Sequence, residues 1–255
     1  MSSAGDDVAR ELGPAGGEAG HPSSGDVRRR RWRDRLTSFE VAAVAGVVCA
    51  VAWSVSLRGL LGAPGLQATE EELVRHYAEV GAGSTAADLA LMVLGTVAYL
   101  WFVGVIRHRL GEGEDRLGGT VFLGASILFT SLLLVGGSAL AAPAILVEVG
   151  GQQPDPGAAA MARALAVVVL SVFAPRIATL VMFSSASLSR RAGVLPSWLI
   201  ALTFVLGVVE FINVTISTPT LYLFPAWIAL VSVVILVRHP ATPSGAVDRS
   251  ATPPS

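Results

Sequence analysis

The chain has 255 residues, of which 53% are hydrophobic and only 15% charged, with a formal net charge of −1. Soluble domains average about 25% charged residues, so this composition and a mean hydropathy of +0.63 exclude an ordinary water-soluble fold. The near-zero charge argues against nucleic acid as the main partner, and the 18 basic residues are all arginine, a bias of high-GC genome composition rather than of mechanism.

Taken in chain order, residues 1–38 are polar and rich in Gly, Ser, Pro and acid as far as Asp26, then carry Arg28, Arg29, Arg30, Arg31, Arg33 and Arg35. This region is too long for a secretory n-region, and Arg30-Arg31-Trp32 lacks the remainder of a twin-arginine signal. It reads as a disordered basic cytoplasmic tail ending beside the bilayer, where each arginine is worth about 1 kcal/mol on anionic lipid. The first hydrophobic run, Phe39 to Leu57, carries Ala42, Gly46, Ala50 and Ser54 at a spacing of four, a stripe suited to helix contact or, alternatively, to lining a ligand path. The lone Cys49 lies within that run and can form neither an internal disulfide nor a multi-cysteine metal site, so it is expected to be a small packing residue.

Thr69 followed by Glu72 is a capping box, and Leu73, Tyr77 and Val80 recur at helical spacing, which predicts a short amphipathic helix over Thr69 to Val80. Glu70-Glu71 followed by Arg75 also spells the EExxxR string of intramembrane CAAX-type proteases. That chemistry needs histidines from membrane helices, whereas His21, His76, His108 and His239 all fall outside the hydrophobic runs, which likewise argues against haem and histidine-held metal. Further runs follow from Ala86 to Ile106, Leu117 to Ala142, Arg163 to Leu188, Leu195 to Thr215 and Leu221 to Val237, each read as a span of a bilayer core of about 30 Å. The fourth is long and is expected to tilt or to kink at Pro175. The predicted architecture is an all-α integral membrane protein: a six-transmembrane-helix bundle over residues 39–237, a short amphipathic outer helix, and tails 1–38 and 238–255 in the cytoplasm.

Orientation follows from arginine placement. The tail cluster with Arg107, Arg109, Arg116, Arg190, Arg191 and Arg238 puts twelve arginines on one side, against Arg58, Arg75 and Arg163 on the other. Both termini are therefore expected in the cytoplasm of a bacterial cell. The outer side carries Glu70, Glu71, Glu72, Glu79, Asp88, Glu148 and Asp155 and is net acidic. Trp53, Trp101 and Trp198 near run ends, with Trp227 after Tyr222 and Phe224, read as interfacial anchors.

Arg176 and Glu210 are the charges left deep in the runs. The fourth and fifth runs are joined by a short turn from about Ser189 to Pro196, which makes them an antiparallel hairpin. At a rise of about 1.5 Å per residue both charges lie about 20 Å from that turn, so a direct ion pair is expected. Thr203, Gly207, Glu210 and Asn213 form one polar face of the fifth run, and Thr179 is one turn from Arg176, giving a candidate intramembrane cluster of Arg176, Glu210, Asn213, Thr179 and Thr203. Such a pair either fixes which helices pack together or serves a ligand, proton or ion, since intramembrane ionisable residues are functional candidates by default.

The run EEELVRHYAEV and the later LWFVGVIRHRLGEGEDRLGG, within residues 65–140, resemble a group of uncharacterised multi-pass membrane proteins from high-GC Gram-positive bacteria. The resemblance rests on the helix before the second span, the Trp101-Phe102 pair and the Arg107 to Arg109 exit. It implies membrane localisation and this topology, and carries no activity or site residue. The sequence shows no catalytic constellation and asks for no cofactor or metal. The expected function is that of a non-enzymatic membrane accessory, binding or sensor protein; the alternative is a small secondary transporter using Glu210 and Arg176, for which three plus three spans permit an inverted repeat although no repeated motif joins the halves.

Overall fold

The computed structural model describes residues 39–62, 64, 67–80, 82–110, 116–153, 155–193, 195–212 and 218–238. Within them all regular structure is helical: α1 (Phe39–Leu61), α2 (Glu70–Val80), α3 (Ala82–Leu110), α4 (Arg116–Glu148), α5 (Pro156–Val167), a π-helical segment (Val168–Phe173), α6 (Ala174–Ala192), α7 (Ser197–Ile212), a 3₁₀ turn (Thr218–Tyr222) and α8 (Leu223–Arg238). The two tails, with the arginines at 28, 29, 30, 31, 33 and 35, lie outside the described residues, as do Asn213 and the end of the fifth predicted run.

Five helical stretches are long and apolar enough to cross a membrane: Glu40–Leu61, Gly83–Arg107, Leu117–Glu148, Pro156–Ala192 and Thr220–Arg238. The fifth hydrophobic run contributes Ser197–Ile212, an apolar helix of 16 residues, about 24 Å of rise and so less than a hydrocarbon core over its described part. Several helices outrun the hydrophobic segments that predict them. The third run ends at Ala142 by hydropathy, whereas α4 continues through Pro143 to Glu148. Proline removes one intrahelical donor without ending a helix that packing holds on both sides, and Ala144 to Val147 beyond it are apolar and continue the same stretch.

The extra turns of α4 have a partner. α2 is closed by the predicted capping box, in which Thr69 N–H donates to Glu72 Oε2 at 3.0 Å and Glu72 N–H donates to Thr69 Oγ1 at 3.3 Å. Its Leu73 is buried against Ala144 of α4, flanked by Ala68, Val147 and Ala159. Glu70, Glu71 and Glu72 remain exposed on the other side of the helix, so the EExxxR string lies on a surface helix.

α1 packs most extensively on α3 and next on α8. In lipid this contact depends on close backbone approach rather than on a hydrophobic drive. Ala42, Gly46 and Ala50 of the small-residue stripe are buried, and a Cβ added to Gly46 would lie 2.0 Å from Ser232 Oγ of α8 and 3.0 Å from the Phe102 ring of α3. The stripe is thus a helix-contact surface. Cys49 is fully buried beside it. Gly95 repeats the device, since Trp53 of α1 lies where its side chain would be.

The fourth predicted span is one helical path from Pro156 to Ala192 in three pieces. Asp155 caps its start, accepting a hydrogen bond from Gly157 N–H, with Pro156 in the first turn. The irregularity falls just before Pro175, at Val168–Phe173, where the turn widens so that Ala174 N–H bonds Val169 O. Proline cannot donate to the carbonyl four residues back, and a local widening to i→i−5 is a known accommodation. At the far end Gly193 takes φ +66° as the C-cap, its N–H on Ser189 O. That left-handed conformation suits glycine and starts the turn into α7.

Candidate functional site

α6 and α7 form the expected antiparallel hairpin, and its register is fixed by one side chain. The Thr179 hydroxyl lies 3.0 Å from Pro175 O and 2.9 Å from Gly207 O, sharing its proton between its own helix and the neighbour. Glycine at 207 permits this approach, because a Cβ there would stand 2.5 Å from the Phe183 ring. Three residues further along each helix, Arg176 stands level with Glu210. The equal depth read from the turn is therefore present in the fold.

The expected ion pair is not. Arg176 donates instead to Val172 O, one turn back on its own helical path, and Glu210 has no hydrogen-bond or ion-pair partner among the described residues. The cause is rotation about the α6 axis rather than depth. Ala174, Pro175 and Ala178 face the cavity that Glu210 lines, and at about 100° per residue Arg176 falls on the far side of the helix from them. Helical side chains also lean toward the N-terminus, which carries the guanidinium to the preceding turn beside the π-helical segment.

Glu210 itself points inward with Leu199, Thr203 and Gly207, the buried face of α7. It is only 2% exposed. It lines a cavity of about 20 Å³ whose other described walls are Leu57 of α1, Phe129 and Leu133 of α4, Leu170 of the π segment, and Leu221 and Phe224 around the 3₁₀ turn, with Thr220 of that turn. Thr203 plays a different part: its hydroxyl donates to Leu199 O at 2.8 Å and accepts from Trp227 Nε1 at 2.9 Å, tying α7 to α8. Of the predicted cluster, then, Glu210 faces the cavity, Thr179 and Thr203 serve helix contacts, Arg176 is turned aside, and Asn213 lies outside the described residues.

Beneath this cavity is a layer of rings for which the sequence offered a different reading. Trp53 is fully buried and packs against Tyr99 at 5.1 Å and Phe129 at 5.7 Å between ring centroids. Phe129 meets Phe224 at 4.4 Å, and Phe224 meets Trp227 at 5.4 Å. Trp53 Nε1 donates to Met92 O at 3.3 Å and Tyr99 OH to Ser126 Oγ at 3.1 Å, so the polar edges are satisfied inside the bundle. Trp53 and Trp227 are consequently core residues and not interfacial anchors, whereas Trp101 and Trp198 are exposed. Because α1 extends to Leu61, Trp53 lies two turns from its end and not at it.

A second cavity of about 20 Å³ lies on the other side of the rings, toward the α6–α7 turn, lined by Tyr99, Phe102, Phe122, Ser185, Leu195 and Trp227 among others. The two cavities share no lining residue. Comparisons of the chain with models of protein families, with curated proteins and with solved structures match nothing.

Proposed function

We propose that the protein is a non-enzymatic ligand-binding accessory or sensor protein of the bacterial cell membrane, holding a small molecule at Glu210 between α1, α4, α6 and α7. The observation that carries this reading is a buried carboxylate without a partner among the described residues, on the wall of a cavity. A carboxyl group kept only for packing specificity would be expected to engage the arginine at its own level. The test is a cavity-filling variant. Wild-type protein in lipid nanodiscs should retain a small molecule that mass spectrometry detects after denaturation, and Ala178→Phe should lose most of it while melting as a folded protein. Equal release from both would sink the reading.

In this proposal the fifth hydrophobic run, Leu195 to Thr215, makes a sixth span, both termini are cytoplasmic, α2 lies on the outer face and the six tail arginines contact anionic lipid. The support is the ratio of twelve arginines to three under the positive-inside rule. In a Cys49→Ala background, Gln152→Cys is expected to react with a membrane-impermeant maleimide on intact cells, and Ala192→Cys only after permeabilisation. The reverse pattern would invert the topology. A carrier remains the second reading, favoured by the π-helical segment whose Leu170 forms part of the cavity wall, since such segments recur at functional sites.

A further inference from the structure

We infer that the outward face at Arg176 docks a membrane-spanning helix of another protein, one that carries an aspartate or glutamate at the middle of its span. The inference goes beyond the Glu210 reading and stands independently of it. It starts from where the arginine is left. Phe173, Arg176, Leu180 and Ser184 recur at the three- and four-residue spacing of a single helix face, turned away from the buried Ala174, Pro175 and Ala178. Phe173 is 51% and Leu180 44% exposed, and Arg176 between them is partly exposed. On the path from Pro156 to Ala192, Arg176 stands thirteen residues from Arg163 and fourteen from Arg190, about 20 Å from either. A charge at the middle of a membrane-length helix therefore opens onto the outside of the bundle.

A guanidinium carries five N–H donors and cannot shed its charge. Among the described residues Arg176 uses one bond, to the neutral Val172 O, and the chain holds no carboxylate suited to it. Within the predicted spans the acids are Glu40, Asp88 and Glu210. The first two fall in the first turn of their runs, far from this depth, and Glu210 is 2% exposed and faces inward. The stretch after α7, residues 213–217, reads Asn-Val-Thr-Ile-Ser and contains no acid. A second copy would bring the same set. A lipid phosphate is too far away, because the bond to Val172 carries the guanidinium only about 6 Å toward Arg163 and leaves about 14 Å to that residue's level. A carboxylate delivered at depth by another helix meets the need, and the arginine fork can hold it with two hydrogen bonds. Further along the face, Ser184 keeps its hydroxyl on Leu180 O at 2.7 Å, and with the exposed Ser187 it supplies the small residues that let a second backbone come close.

The experiment places the full chain, donor-labelled at Gln152→Cys in the Cys49→Ala background, in phosphatidylcholine liposomes with acceptor-labelled synthetic helices. Each helix is a lysine-flanked run of about twenty leucines with glutamate, leucine or arginine at its centre. Energy transfer to the glutamate helix is expected to reach half-saturation at a peptide-to-lipid ratio at least about tenfold lower than for the leucine helix. Arg176→Leu should bring the glutamate helix down to the level of the leucine helix. Arg176→Glu should lose the glutamate helix and gain the arginine helix, a reversal that a misfolded protein would not show. If wild type takes the glutamate and leucine helices alike, or if Arg176→Leu changes nothing, the proposal is overturned. It is equally overturned if the glutamate helix fails to associate while wild type, and not Arg176→Leu, retains phosphatidylglycerol from mixed liposomes, which would assign the face to a lipid phosphate. Energy transfer between differently labelled copies that Arg176→Leu abolishes would assign it to a second copy of the chain and overturn it as well.

Discussion

Replacing Gly46 by leucine is expected to leave little folded protein. The backbones of α1 and α8 meet at this point, with Ser232 Oγ held 2.0 Å from where any Cβ would begin and the Phe102 ring of α3 at 3.0 Å. Ser232 is fully buried and its hydroxyl has no hydrogen-bond partner among the described residues; it lies against the Gly46 backbone. Leucine would drive three further carbons into that seam. Overpacking a core costs about 1–3 kcal/mol even where the neighbours can shift, and here one neighbour is a main-chain-proximal serine and the other a ring already packed against Tyr99 at 6.5 Å. A loss of about 3 kcal/mol or more is expected, read as a collapsed monodisperse peak in detergent and an early melt. Gly46→Ala should be milder, and adding Ser232→Gly should recover part of its loss. A leucine variant that melts with wild type would show that α1 and α8 do not meet as described.

Trp53→Ala has the second largest expected effect. The indole is fully buried, contacts three other rings and fills the space over Gly95. Truncating a buried aromatic residue costs about 3–5 kcal/mol, part of it from the cavity left behind. Loss of the Nε1 donor also leaves Met92 O to Thr96 Oγ1, which already shares it at 2.9 Å, so the hydrogen-bond share should be small. Trp53→Phe should therefore cost well under half as much as alanine. Chemical denaturation in mixed micelles would compare the two. If phenylalanine proves as damaging as alanine, the hydrogen bond and not the ring carries the stability. An interfacial anchor would behave oppositely, tolerating both changes with little loss.

How far the sequence could be read depends on which physical signal each feature leaves. Continuous hydrophobicity located the five membrane-length helices among the described residues, because burial in lipid demands apolar residues along the whole length, while the sixth predicted span is described only as the 16-residue helix Ser197–Ile212. The reciprocal bonds of Thr69 and Glu72 were legible because a capping box is local. So was the common depth of Arg176 and Glu210, which follows from counting residues from one turn. The pairing itself was not legible, because depth says nothing about rotation, and the π-helical turn at Val168–Phe173 sits directly before Arg176 with only Pro175 to hint at it. Trp53 was misread for a related reason. Its position relative to the end of the span depended on where α1 stops, and four further residues after Leu57 turn an anchor into a core residue. The cavity at Glu210 was beyond sequence reading, since it is assembled from α1, α4, α6, α7 and the 3₁₀ turn and no spacing within one segment reports it.

The ring layer between the two cavities has an electrical consequence. A membrane that maintains a potential of about 100 mV drives each elementary charge with about 2.3 kcal/mol, so a polar path running the length of a bundle is a leak. A chain that carries a carboxylate within its membrane-spanning core needs insulation on one side of it. Phe129 and Phe224, at 4.4 Å, form the floor beneath Glu210, and Tyr99 and Trp227 roof the cavity beyond. The polar N–H and O–H groups of Trp53, Tyr99 and Trp227 each donate to an internal partner, so these three rings offer no free donor to an ion in transit. The aromatic layer is in effect a dielectric stop, and smaller side chains at Phe129 or Phe224 would be felt first as conductance.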